Sequence, residues 1–209
     1  MKNLTNLKKI IALFDNYVEL WHKNNEISFS HNNIFINQAL EILCSNYKLW
    51  HLEDLARDIN ADDKIIADVK RKIDRENQNR NDNIEKLDIL IYNHLNENNI
   101  IATTDDFNSE TPGSIIDRIT ILSLKIYHMD EQTKREDASK EHIEKCIEKL
   151  EILKQQRSDL VIAFEKLIKD ILSGKKKHKI YFQFKMYNDP TLNPVLYRKS
   201  RKSNESSGN

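Results

Sequence analysis

Asp117, Arg118, Lys125 and His128 stand inside "ETPGSIIDRITILSLKIYHM", residues 110–129, a segment otherwise almost wholly apolar. A helix of this composition buries most of its circumference. An ionised group buried without a partner costs several kcal/mol, so each must meet an opposite charge, water or a ligand. Two other segments raise the same issue. The stripe Ile36, Leu40, Leu43 and Tyr47 runs on through Trp50 and His51 to Asp54 and Asp58 in "LWHLEDLARD", with Glu53 and Arg57 paired four apart on the next face. The stripe Ile66, Val69 and Ile73 passes through Asn77 and Arg80 in "NQNRNDNIEKLD", then returns to Ile84 and meets Asp88 before Ile91 and Leu95.

Three chemistries suit these residue types. The first is a divalent metal site (Mg, Mn or Zn) built by His51, Asp54, Asp88 and Asp117, with His128 to complete the shell, from facing helices, as carboxylate and imidazole sites in bundles are. The sequence has no doubled Glu-x-x-His pair, so the di-iron bundle pattern is absent. The second is an anion pocket. Thr111 can cap a helix whose first residue is Pro112, and Gly113 and Ser114 would expose free amides to a phosphate or carboxylate. Arg118 and Lys125 lie along the same strip, Arg57 or Arg80 could bring a planar fork, and Asp88 would bind hydroxyls or steady a cation. The third is acid–base catalysis by His51 or His128, oriented by Asp54 or Asp117. Against all three stands a purely structural ion network, pairing Asp54 with Arg80 and Asp88 or Asp117 with Arg118. No Ser or Cys nucleophile motif, phosphate-cradling glycine loop or CxxC pair is present.

Helices must position these groups. Periodicity predicts helices over 4–24, 33–59, 62–99, 112–131 and 135–173, with the loop "NNIIATTDDFNSE" before the fourth and Gly174 closing the fifth. The apolar face of the last runs from Ile143 through Leu153 and Leu160 to Ile171, and offers a seam for homodimerisation. "KKKHKIYFQFKMYNDPTLNPVLY" changes character: it is expected to be irregular, with its Tyr, Phe and Met packed on the bundle, and to act as edge packing or a lid. Residues 198–209 are expected to be a disordered tail, leaving 1–197 as a single domain.

The bulk composition agrees. Of 209 residues, 39 % are apolar and 32 % charged, with only three Gly and three Pro, too few for a fold rich in tight turns. Lys plus Arg and Asp plus Glu number 33 each, a balance that argues against a general nucleic-acid binder. No run is long and apolar enough for a membrane span, and the charged start at residues 1–21 lacks a signal-peptide pattern, so the expected location is the cytoplasm. Cys44 and Cys146 read as small buried hydrophobes in a reducing compartment.

"LWHLEDLARD", "NRNDNIEKLD", "ETPGSIIDRITILSLKIYHM" and "KMYNDPTLNPVLY" resemble the signature blocks of a bacterial family catalogued as domain of unknown function 4254, over roughly residues 30 to 197. The resemblance implies no activity and transfers no catalytic residue. The expectation is therefore an all-α protein, one helical bundle of about five main helices. Its buried polar pocket would take a phosphorylated or otherwise anionic small molecule, with a divalent cation as candidate companion. Two alternatives are a non-enzymatic scaffold that dimerises through residues 135–173, and a hydrolase of nucleotides or sugar phosphates.

Overall fold

The computed structural model describes residues 7–197, so the start of the first expected helix and the expected tail lie outside the described residues. Five long helices form: α1 (Leu7–Asn24), α2 (Ile34–Leu55), α3 (Asp63–Glu97), α4 (Pro112–Thr133) and α5 (Lys140–Leu172). Each start from α2 onward has its own polar cap. Asn33 accepts from the amides of Phe35 and Ile36, Asp62 from Lys64, Thr111 from Ser114 and Ser139 from His142, which meets part of the unpaired-donor demand of a helix's first turn. The caps also explain two boundary shifts. α5 begins at Lys140 instead of 135 because Ser139 provides the cap. α2 stops at Leu55 instead of 59, where Arg57 and Asp58 turn back onto the carbonyls of Asp54 and Leu55 at 3.1 and 3.3 Å.

α2 and α3 pack as one antiparallel hairpin and α4 and α5 as another, with α1 laid against α4 and α2. α4 touches all four of the other helices, which is why so much of its circumference is apolar. One core runs through the bundle, with Phe14, Trp21, Leu43, Leu87, Ile116 and Phe164 completely enclosed. A smaller cluster of Leu49, Val69 and Ile73 closes the α2–α3 end. Arg157 ties three helices together, donating to Asp15 of α1 at 2.6 Å and to Ser123 of α4 at 3.2 Å. Cys44 and Cys146 are buried free thiols. The inner face of α5 is occupied by the fold, through Leu150, Val161, Phe164, Leu167 and Ile171. Its exposed Ile147, Ile152 and Ile162 do not line up at helical spacing. No helix among the described residues is long and apolar enough to cross a membrane.

α5 ends in a Schellman motif. Gly174 adopts φ +72°, its amide donates to Ile171 O at 3.0 Å, and the Lys175 amide reaches Asp170 O at 2.8 Å. The chain then pairs with the α3–α4 loop, through Thr103 N to Gly174 O and Lys177 N to Asp106 O at 2.8 and 2.7 Å. From there it runs back along α3 as a strap. Polar bonds attach it there: His178 Nε2 with Asp88 O at 2.9 Å, Gln183 N to Glu85 Oε1 at 2.8 Å and Lys185 Nζ to Asn77 O at 3.2 Å. Its aromatic side chains behave otherwise than their type suggests. Phe182, Phe184, Met186 and Tyr187 are exposed, so the expected aromatic anchoring on the bundle is replaced by polar bonds from the Gln183 amide and the His178 and Lys185 side chains.

Gly174→Ala tests the α5 terminus. A Cβ there would lie 2.7 Å from Ile101 O, at a φ that L residues adopt only at a cost of about 1–2 kcal/mol. The expected outcome is a thermal midpoint several degrees lower by calorimetry, at unchanged far-ultraviolet circular dichroism.

Candidate functional site

The α3–α4 crossing sets the register of everything polar in the interior. Asp88 is 2 % exposed, and its Oδ1 accepts the Gly113 amide at 2.8 Å. The carboxylate thus caps the positive end of α4 from a neighbouring helix. Gly113 is what permits the approach: a Cβ there would stand 2.6 Å from Ile84 O and 2.9 Å from Asp88 Oδ2. Thr111 supplies the helix's own cap and meets Ser114 Oγ at 3.0 Å. The α4 start expected to hold an external phosphate is thereby occupied by an internal anion, and the Gly113 amide is already engaged. Burial raises the Asp88 pKa from 3.8 to about 6, against the opposing pull of Thr111 and the Gly113 amide.

Two turns from Asp88 along α3, a cleft opens between α2, α3 and α4. Asn46 of α2 donates to Asp117 Oδ1 at 2.7 Å and to Thr120 Oγ1 at 2.9 Å, while Thr120 donates to Asp117 O at 2.8 Å. Burial raises the Asp117 pKa, opposed by Arg80 and Asn46. Arg80 Nε lies 3.8 Å from Asp117 Oδ1, beyond hydrogen-bond reach, and is buried with no hydrogen-bond partner. Two cavities of about 360 and 410 Å³ share Arg80 and Asn77. Leu49, Trp50 and Leu124 wall the first; Asn81, Ser114, Asp117 and the strap's Lys185 and Asn188 wall the second.

The other expected site residues divide between this cleft and elsewhere. Asp54 and Arg57 are exposed on its rim, and Arg57 pairs with Glu53 at 2.7 Å instead of reaching inward. Arg118 is exposed and holds Glu110 Oε1 and Oε2 at 2.7 and 2.8 Å. With Lys125 it lines a separate groove against Asp159 and Leu160 of α5. Both diverge from Arg80 because their positions on α4 face away from α3. The proposed pairing of Asp54 with Arg80 does not form, and neither does that of Asp88 or Asp117 with Arg118. The metal quartet His51, Asp54, Asp88 and Asp117 does not converge either: Asp54 faces solvent, Asp88 holds Gly113 and Asp117 holds Asn46. Neither His51 nor His128 lines the Arg80 cavities, so no imidazole–carboxylate dyad with Asp117 is set up there.

What His51 and His128 do meet is His22, from the end of α1. One ring nitrogen from each lies within 4.8 Å of the others. His22 Nδ1 is 2.6 Å from Val18 O and His128 Nδ1 is 2.8 Å from Glu131 Oε2, while the Nε2 atoms of all three are buried without a hydrogen-bond partner. Trp50 stacks on His128 with centroids 4.6 Å apart, and Tyr127 on His22 at 4.2 Å. Desolvation lowers the His22 and His51 pKa values, helped by repulsion from neighbouring histidines. His22 and Asn46 were missed in the sequence, although both were detectable. His22 lies four residues after Val18 on the α1 stripe, and Asn46 falls between Leu43 and Trp50 on that of α2.

The family model described as "Protein of unknown function (DUF4254)" matches residues 37–180, well over half of the chain. That span holds Asn46, His51, Arg80, Asp88, Asp117 and His128; His22 precedes it and Lys185 follows it. No curated protein matches, and no solved structure matches.

Two measurements test the α3–α4 crossing. Gly113→Ala forces a backbone contact and is expected to cost about 1–3 kcal/mol, read as a lower thermal midpoint. Between about pH 4 and pH 6 the folded state keeps a proton on Asp88 that the unfolded chain has released. This group therefore makes stability fall as pH rises through that window, by up to about 3 kcal/mol, and contributes no slope above it. Asp88→Asn keeps an oxygen for the Gly113 amide but has no proton to lose. Urea unfolding across pH 4–6 is expected to show the decline in the wild type and a flatter profile in the variant.

Proposed function

The chain belongs to the DUF4254 family, and we propose that this member binds an anionic small molecule, phosphate- or carboxylate-bearing, in the cleft centred on Arg80. The observation that carries this reading is the arginine itself. Arg80 is held at the junction of two cavities with Nε buried and unmatched, and its nearest carboxylate, that of Asp117, is already bonded to Asn46. A buried donor without an acceptor costs about 1–3 kcal/mol, and an acceptor brought by a ligand recovers that loss. A planar guanidinium matches phosphate and carboxylate oxygens in pairs.

The surroundings fit a ligand with an anionic head and a polar body. Lys185 adds a second cation from the strap, while Asn77, Asn81, Ser114 and Asn188 offer neutral donors and acceptors for hydroxyls or ring nitrogens. Leu49, Trp50, Ile121 and Leu124 form an apolar wall at the other end, wide enough for a sugar or base face. Asp117 would accept from a ligand hydroxyl, since only one of its oxygens is taken by Asn46. The hydrolase reading draws no comparable support, because the imidazoles expected to move protons lie outside the cleft walls.

A thermal-shift series against inorganic phosphate, nucleotides and sugar phosphates tests the reading. A ligand at about 100 times its Kd adds roughly 2.7 kcal/mol, a shift of several degrees. Arg80→Ala is expected to abolish that shift and Lys185→Ala to reduce it. A flat wild-type series, or a shift that survives Arg80→Ala, overturns the proposal.

A further inference from the structure

The histidine cluster at the junction of α1, α2 and α4 has a different chemistry from the Arg80 cleft. Each of its three imidazoles buries an Nε2 atom that has no hydrogen-bond partner, and one ring nitrogen from each lies within 4.8 Å of the others. Hydrogen bonding decides what two of them can offer. Val18 O accepts only a proton carried on His22 Nδ1, and the Glu131 carboxylate likewise holds the proton of His128 on Nδ1. A neutral imidazole with its proton on Nδ1 presents a lone pair at Nε2. The two lone pairs cannot satisfy each other, and the third imidazole, His51, faces both at centroid distances of 5.0 and 6.0 Å. The missing partner is an electron-pair acceptor.

We propose that His22, His51 and His128 bind a divalent transition-metal cation of the zinc type through their Nε2 atoms, with one coordination position left open. The donor set selects the class: imidazole nitrogens suit Zn, Cu, Ni, Co and Fe, whereas Mg and Ca require oxygen ligands. Three protein ligands with a fourth position free is the arrangement of zinc sites that act on water or substrate. Tetrahedral ligands at about 2.05 Å from the metal stand about 3.4 Å apart. Ring nitrogens within 4.8 Å of one another stand about 1.4 Å or less beyond that spacing, a difference on the scale of side-chain rotation.

The outer contacts are those a metal-binding imidazole needs. Glu131 on His128 Nδ1 forms a carboxylate–histidine pair that fixes the tautomer and strengthens the ligand, and the Val18 carbonyl does the same for His22. The stacked Trp50 and Tyr127 hold two ring planes, and Tyr47 meets the His51 ring edge to face at 4.5 Å. His51 also lines a cavity of about 590 Å³ together with Lys48, Lys72, Arg75 and Glu76. This site replaces the carboxylate-rich quartet expected from sequence and does not rest on the Arg80 reading.

The test is cobalt uptake by the full chain after treatment with a chelator. The expected result is one equivalent of Co²⁺ bound, with the visible ligand-field absorption of a four-coordinate site, displaced by Zn²⁺. His51→Ala and His128→Ala are expected to abolish the absorption, and His94→Ala, on α3 and outside the cluster, to leave it unchanged. Glu131→Gln is expected to weaken affinity about 10–100-fold at unchanged fold. Because Glu131 is exposed, that variant remains informative if the histidine variants fail to fold. Arg80→Ala is expected to retain cobalt binding, which separates this site from the cleft. The absence of stoichiometric uptake by the wild type overturns the proposal, and so does uptake that survives His51→Ala and His128→Ala.

Discussion

The carboxylate of Asp88 on the amide of Gly113 is the contact from which the rest of this interior follows. It joins the C-terminal half of the longest helix to the first turn of the most enclosed one, at a separation only a glycine allows. Because α4 touches every other helix, its height and rotation at that point fix where Asp117, Thr120, Leu124 and His128 emerge along its length. Arg80 sits eight residues before Asp88 on α3, about 12 Å along the axis, so one contact also sets the distance between the cap and the cleft. Hydrophobic burial holds the bundle together but tolerates sliding by a turn. A buried carboxylate with a single matching amide does not, since a slip would leave both unpaired.

The interior polar groups fall into two sets, and satisfaction separates them. Asn46, Asp117 and Thr120 bond to one another across α2 and α4, and Gln38 bonds Asn83 across α2 and α3. These close the structure. Arg80 Nε and the Nε2 atoms of His22, His51 and His128 have no such partner. Buried donors and acceptors are almost always paired in folded proteins, and these exceptions are the atoms on which the proposed ligand and metal would act. Trp50 lies between the two places, walling the Arg80 cavity and stacking on His128. A ligand in the cleft and a metal on the imidazoles would thus share one rigid side chain.

The strap after α5 shows how little composition says about docking. Its aromatic residues lie outward, and its hold on α3 comes from His178, Gln183, Lys185 and Asn188, all four of which reach α3 side chains or carbonyls within about three turns. This attachment puts Lys185 against the cleft. A cation is thereby delivered by the part of the molecule whose residue types suggested a hydrophobic cover.

Sequence periodicity was sufficient for the existence and order of the helices, because the 3.6-residue repeat of apolar positions and the Thr111 cap are local signals, while the Ser139 cap was not read from it and sets the α5 start at Lys140. It was also sufficient to show that charge intrudes on the inner faces of α3 and α4, at Arg80, Asp88 and Asp117, though not on that of α2, whose Asp54 and Arg57 face solvent, and family membership was readable from contiguous blocks. Partnership was not readable. Asp88 looked like a ligand group and Gly113 like an open anion site, yet each answers the other across 25 residues of chain. Arg118 and Arg80 looked equivalent, yet one faces α5 and solvent while the other faces the cleft. Periodicity gives the angle of a side chain about its own helix. Which neighbour stands at that angle depends on how the helices cross, a matter settled by three-dimensional packing at the α3–α4 contact and by no stretch of the sequence taken alone.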